Sequence, residues 1–133
     1  MLPIEYIRWK DKVLAYIIRA EMHPEKTTFI TPPDLNFQAG FVVYPAGTEI
    51  KRHIHRSLER QIVGTSEVLL IRKGNCIIDI YNDDREKVAS VELRTGDVVL
   101  VVGGAHGFSM LEDTVFFEIK QGPYLGIDEK EHF

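Results

Sequence analysis

The chain has one cysteine, no excess of basic charge, no long apolar run and no internal repeat. Cys76 alone cannot close an internal disulfide, which points to a reducing compartment. A formal net charge of -4 and a pI near 5.7 exclude the basic surface that phosphate backbones require, so nucleic acid is not an expected partner. The longest apolar run near the N-terminus, Val13 to Ile18, is preceded by Lys10, Asp11 and Lys12 and stopped by Arg19. It is too short for a membrane span or a signal-peptide core, so no membrane association is expected and a cytoplasmic location is. No segment after residue 36 carries an apolar period of 3.6 residues long enough for a stable helix.

What remains is an ordinary folding composition. With 44% hydrophobic and 27% charged residues among 133, the chain suits a single globular domain large enough to bury a core without staples. Short strand-like runs alternate with turn residues at intervals of roughly 8 to 12 residues. They are Phe37 to Tyr44, Glu67 to Ile71, Cys76 to Tyr81, Val88 to Leu93, Val98 to Val102 and Thr114 to Gln121. Pro45-Ala46-Gly47, Lys73-Gly74-Asn75, Asn82-Asp83-Asp84, Thr95-Gly96-Asp97, Gly103-Gly104 and Gly122-Pro123 stop them. The pattern predicts an all-β sandwich or barrel. Residues 1–36 read as an N-terminal extension in which Ile4 to Ile18 is a strand pair or a short amphipathic helix, with edge strands favoured. Thr31-Pro32-Pro33-Asp34 is a turn, because prolines lack donors and restrict the residue before them. Residues 37–121 form the expected core, and 122–133 a charged tail.

Histidines and a carboxylate stand out against this background. His53 and His55 are separated by one residue; on a β-strand they would share one face, their backbones about 6.5 to 7 Å apart, and both rings could lean onto one centre. Glu67 opens a strand that ends at Gly74, and His106 follows Gly103-Gly104-Ala105. Three imidazoles and one carboxylate converging on a single divalent ion is the expectation. Glu59 competes with Glu67 for the carboxylate role: it lies four residues after His55, whereas Glu67 has the strand-then-turn context. His23 and His132 read as surface or structural histidines, and Cys76 as a small packed hydrophobe. Lys51, Arg52, Arg56 and Arg60 flank the histidines and would favour an anionic ligand if they rim a pocket.

These residues resemble the two sequence motifs of the cupin superfamily. Gly47, five residues, then His53-Ile54-His55, and later Glu67, six residues, then Gly74 resembles the first; Gly96-Asp97 with His106 resembles the second. Eleven residues, Arg56 to Ser66, separate His55 from Glu67 where the family has three or four. No proline follows Gly96, and Met110 stands where the family often has asparagine. The resemblance covers Phe37 to Gln121 and implies a small jelly-roll β-barrel with His53, His55, Glu67 and His106 as metal ligands. It further implies a homodimer.

Such a donor set suits Fe, Mn, Ni, Zn or Cu as a divalent ion. It serves isomerisation, dioxygen chemistry and plain ligand sensing alike. The expected function is a metal-dependent enzyme, an isomerase or dioxygenase, acting on a small polar, oxygen-rich molecule such as a sugar derivative or oxo acid. Glu59, Lys120 and Tyr124 are its candidate proton-transfer residues. The alternative is a non-catalytic module that binds or senses a small ligand.

Overall fold

Ten strands and no helix form the computed structural model, which describes residues 3–122 and 130–133. Residues 4–20 and 65–133 make one compact unit, and residues 21–64 make another. Among the described residues no helix is long and apolar enough to cross a membrane.

The larger unit is two antiparallel sheets. Five strands, β1 (Glu5–Trp9), β2 (Lys12–Ile18), β8 (Val98–Val101), β5 (Glu67–Lys73) and β10 (Val115–Lys120), lie in that order in the first. The second has the order β7 (Lys87–Arg94), β6 (Asn75–Tyr81), β9 (Ala105–Met110). Strict alternation shapes β6: Cys76, Ile78 and Ile80 are buried while Ile77, Asp79 and Tyr81 are less so, as expected of a strand with one face on a core. These three side chains join Ala15, Ile17, Leu69, Ile71, Val99 and Val101 of the other sheet in one apolar cluster. The sheets therefore hold together through their facing apolar sides, the usual source of stability in a two-layer β fold.

The N-terminal segment resolves as a strand pair. Here β1 is an edge strand, but β2 is internal, paired to β1 on one side and to β8 on the other. Its run Leu14 to Ile18 is buried. A continuous apolar run fits an interior strand better than an edge.

One carboxylate fixes where these strands end. Asp97 is buried, and its Oδ1 accepts from Ala20 N at 2.9 Å, while Oδ2 accepts from Arg94 N at 2.9 Å and Arg19 Nη1 at 3.0 Å. Arg19 in turn donates to both oxygens of Glu5, at 2.6 and 3.2 Å. Backbone bonds Ile71 N to Asp97 O and Gly96 N to Ile71 O, at 3.0 and 2.7 Å, lock the same turn to β5. Gly74 is required at the next corner: its φ is +116°, and a Cβ there would collide with the Asp113 carbonyl and Thr114.

The smaller unit holds the two-stranded ribbon of β3 (Thr28–Phe29) and β4 (Gly40–Phe41). Thr31 Oγ1 accepts from Ala39 N at 2.9 Å, which closes the loop that carries the two prolines. The expected strand Phe37 to Tyr44 is thus reduced to two residues. Residues 42–66 contain no strand, so His53 and His55 do not lie on one as their spacing suggested. The physical reason is visible in the burial: Ile54 is 88% exposed and Leu58, Ile62 and Val63 are exposed too, so no face of this stretch is anchored by packing.

Two measurements check this architecture. Asp97→Ala removes the acceptor for two backbone amides and leaves Arg19 short of a buried partner; it is expected to cost about 3 kcal/mol in urea unfolding. Burial, with the Asp97 charge adding, pushes the Cys76 thiol above its ordinary value, so the native protein should resist alkylation at Cys76 and react only as it unfolds.

Candidate functional site

Strand β5 delivers Glu67 at its first position, on the same face as core residues Leu69 and Ile71. Strand β9 delivers His106, opposite Ile80 of β6, on the face it shares with Phe108. The facing sheets bring these two side chains together, with Glu67 Oε2 and His106 Nε2 3.4 Å apart. Local chemistry explains the placement of His106. Gly104 has φ +63°, and a Cβ there would collide with the Tyr81 carbonyl oxygen, so only glycine lets the chain enter β9 against the end of β6.

Glu67 is buried, yet its environment favours the charged form. The His106 imidazole beside it holds the carboxyl below the ordinary carboxylate range; burial pushes the other way, and the Lys120 and Lys130 charges add to the lowering. Lys120 is the residue directly opposite Glu67 in the β5 to β10 ladder. Of the three residues expected to move protons, Lys120 therefore neighbours the site. Glu59 lies on an exposed stretch of the smaller unit, and Tyr124 lies outside the described residues.

Both Glu67 and His106 line a cavity of about 510 Å³, within the usual range for small-molecule sites. Leu69, Val101, Phe108 and Phe116 supply apolar wall, and Glu118, Lys130, Glu131 and His132 supply polar groups. His132 is exposed, as its sequence reading expects, and also lines the cavity. Phe133 meets Tyr81 edge-on at 5.3 Å, Arg85 lies 5.1 Å from the Phe133 ring, and Arg85 pairs with Glu131 at 2.9 Å. These contacts set residues 130–133 against the cavity. No pattern in the sequence marks that return of the tail; the nearest signal is the lone aromatic Phe133 after a charged run.

In the smaller unit, the His53 and His55 rings are neighbours even without a strand, their centroids 5.2 Å apart in an edge arrangement. His53 Nδ1 lies 2.9 Å from the Lys51 carbonyl oxygen. A carbonyl only accepts, so this bond places the proton on Nδ1 and leaves the Nε2 lone pair available. Among the described residues no three His, Cys, Asp or Glu side chains group closely enough to hold an ion.

Glu67 and His106 offer two of the donors that a metal centre needs. Two donors each about 2.1 Å from one tetrahedral ion stand about 3.4 Å from each other, the separation seen here. That distance is also at the long end for a hydrogen bond.

The lowered carboxyl of Glu67 has a pH signature. A carboxylate depressed on folding contributes stability that is fully present above its ordinary value of 4.5 and lost as pH falls through the lower folded value. Metal-free protein should therefore lose stability below about pH 4.5 more steeply than its Glu67→Gln variant, as read by urea midpoints across that range. The chain matches no protein-family model, no curated protein and no solved structure, so its function has to be argued from its own residues.

Proposed function

We propose that the chain is a metal-binding cupin that acts on a small oxygen-bearing molecule at a divalent centre whose candidate donors are Glu67 and His106, with His53 and His55 of the smaller unit as further candidates. The observation that carries this reading is the Glu67 and His106 pair, a carboxylate kept ionised beside an imidazole at donor spacing on the wall of a cavity. The His53 and His55 pair supports it, because the bond from Nδ1 of His53 to a carbonyl is the outer contact that typically orients a ligating imidazole. The all-β, antiparallel architecture is compatible with a jelly-roll barrel.

When bound, such an ion polarises a carbonyl or hydroxyl oxygen. The remaining work belongs to the chain. Glu67 and His106 fix one end of the ligand, Leu69, Val101, Phe108 and Phe116 supply apolar wall, and Lys120 opposite Glu67 helps keep that carboxylate ionised. An isomerase or dioxygenase of this kind is the enzymatic form of the proposal. A cytoplasmic homodimer belongs to the same reading: the only cysteine is free and buried, and β10, at the edge of its sheet, exposes Val115, Phe117 and Ile119 on one face. A second reading, a non-catalytic small-ligand-binding module, is favoured by the lack of a third donor grouped with Glu67 and His106 among the described residues.

Elemental analysis of tag-free protein purified without chelators separates the two. The expected result is near one equivalent of a single transition metal per chain, lost in His106→Ala and in His53→Ala while the far-ultraviolet dichroism is retained. Glu67→Gln should lower occupancy and Glu59→Gln should not. Full occupancy in both histidine variants would falsify the site, and negligible metal after reconstitution would leave the binding module.

A further inference from the structure

One side of the cavity is built differently from the rest. Glu67 and His106 stand on β5 and β9, which are held in antiparallel ladders with β8, β10 and β6. Lys130, Glu131, His132 and Phe133 line the same cavity, yet these four residues carry no strand or helix and all are exposed. They meet the cavity on one side and solvent on the other, so they are part of its outer wall. The Lys130 charge stands near enough to Glu67 to act on it.

The contacts that hold this segment converge on one post. Arg85 Nη2 donates to Glu131 Oε1 at 2.9 Å, and the same guanidinium lies 5.1 Å from the centre of the Phe133 ring, which also meets Tyr81 edge-on at 5.3 Å. The turn that carries Arg85 is firm. Buried Asn82 accepts through its side chain from Asp84 N at 2.9 Å and Glu86 N at 3.0 Å, and its carbonyl accepts from Arg85 N at 3.0 Å. Arg85 itself has φ +65°, a left-handed conformation that is costly for a residue with a Cβ and ordinarily left to glycine or asparagine. Strain is thus kept at the position where an arginine meets the segment.

The clasp is weak by contrast with its post. The side chains of Arg85 and Glu131 are 51% and 79% exposed, and Phe133 is 62% exposed. Ion pairs and cation contacts to rings contribute little when so much of them is in water. A wall held in this way opens far more readily than the paired strands behind it.

We infer that residues 130–133 are a strap that closes the cavity over Glu67 and His106 and releases at Arg85 to admit a ligand. Arg85 stands outside the lining, so it acts on access only through the strap. The inference concerns entry to the cavity and goes beyond the metal reading: a strap of this kind sets when the pair is reachable, whatever binds there.

Carbethoxylation by diethyl pyrocarbonate tests it on full-length protein kept metal-free with a chelator, the initial rate at each histidine being read from peptide masses. Rates are compared on their high-pH plateau, where protonation no longer governs reactivity. In the wild-type protein His106 should react at least tenfold more slowly than His23, which is exposed in the smaller unit. Phe133→Ala removes both ring contacts without changing charge, and Arg85→Gln removes the ion pair. Each should speed His106 at least threefold, leave His23 unchanged and retain the far-ultraviolet dichroism. An unchanged His106 rate in either variant, or a wild-type His106 as fast as His23, would overturn the strap. So would an equal acceleration at His23, which marks general loosening instead of an opened wall. Because no metal is present, failure of the metal centre leaves this result untouched.

Discussion

Asp97 is the point at which the larger unit is tied. A carboxylate taken out of water must be compensated, and here the compensation comes from three separate places: the end of β2 through Ala20, the end of β7 through Arg94, and the Arg19 guanidinium. Because Arg19 also holds Glu5 of β1, one buried charge fixes the ends of strands far apart in sequence. With the Asp97 backbone bonded to Ile71 of β5, strand β8 starts in a defined register between β2 and β5. That register decides which residue of β5 faces the second sheet, and hence that Glu67 points toward His106.

Two kinds of backbone carry the candidate donors. Glu67 and His106 sit on paired strands whose neighbours are core residues, which suits a pair that must keep its geometry. His53 and His55 sit on exposed chain where a backbone carbonyl orients one ring and the other ring packs on it. The Arg56 to Ser66 stretch between them and Glu67 separates two kinds of backbone as well as two pairs of donors.

Much of the strand content was legible because period-two alternation and turn residues are local signals. The expected strands at Glu67, Cys76, Val88, Val98 and Thr114 stand within a residue or two of β5, β6, β7, β8 and β10. Strand β9 was not expected, since Ala105-His-Gly-Phe-Ser-Met carries a glycine and few β-branched side chains; it exists because β6 offers it an edge. The strand expected over Phe37 to Tyr44 shrank for the converse reason, as alternation without a packed face does not hold a strand.

By itself the sequence determined the all-β class, the turns at Gly74 and Gly96, and the short list of His and Glu residues with metal-binding chemistry, because these follow from side-chain type and nearest neighbours. Only the tertiary structure decided that β2 is internal, that Glu67 faces His106, that Lys120 stands opposite Glu67, and that His132 returns to line the cavity. Each of these is a pairing between residues distant along the chain. Such pairings are set by which faces bury together and which charges must be compensated, a balance over the whole fold that no local pattern encodes.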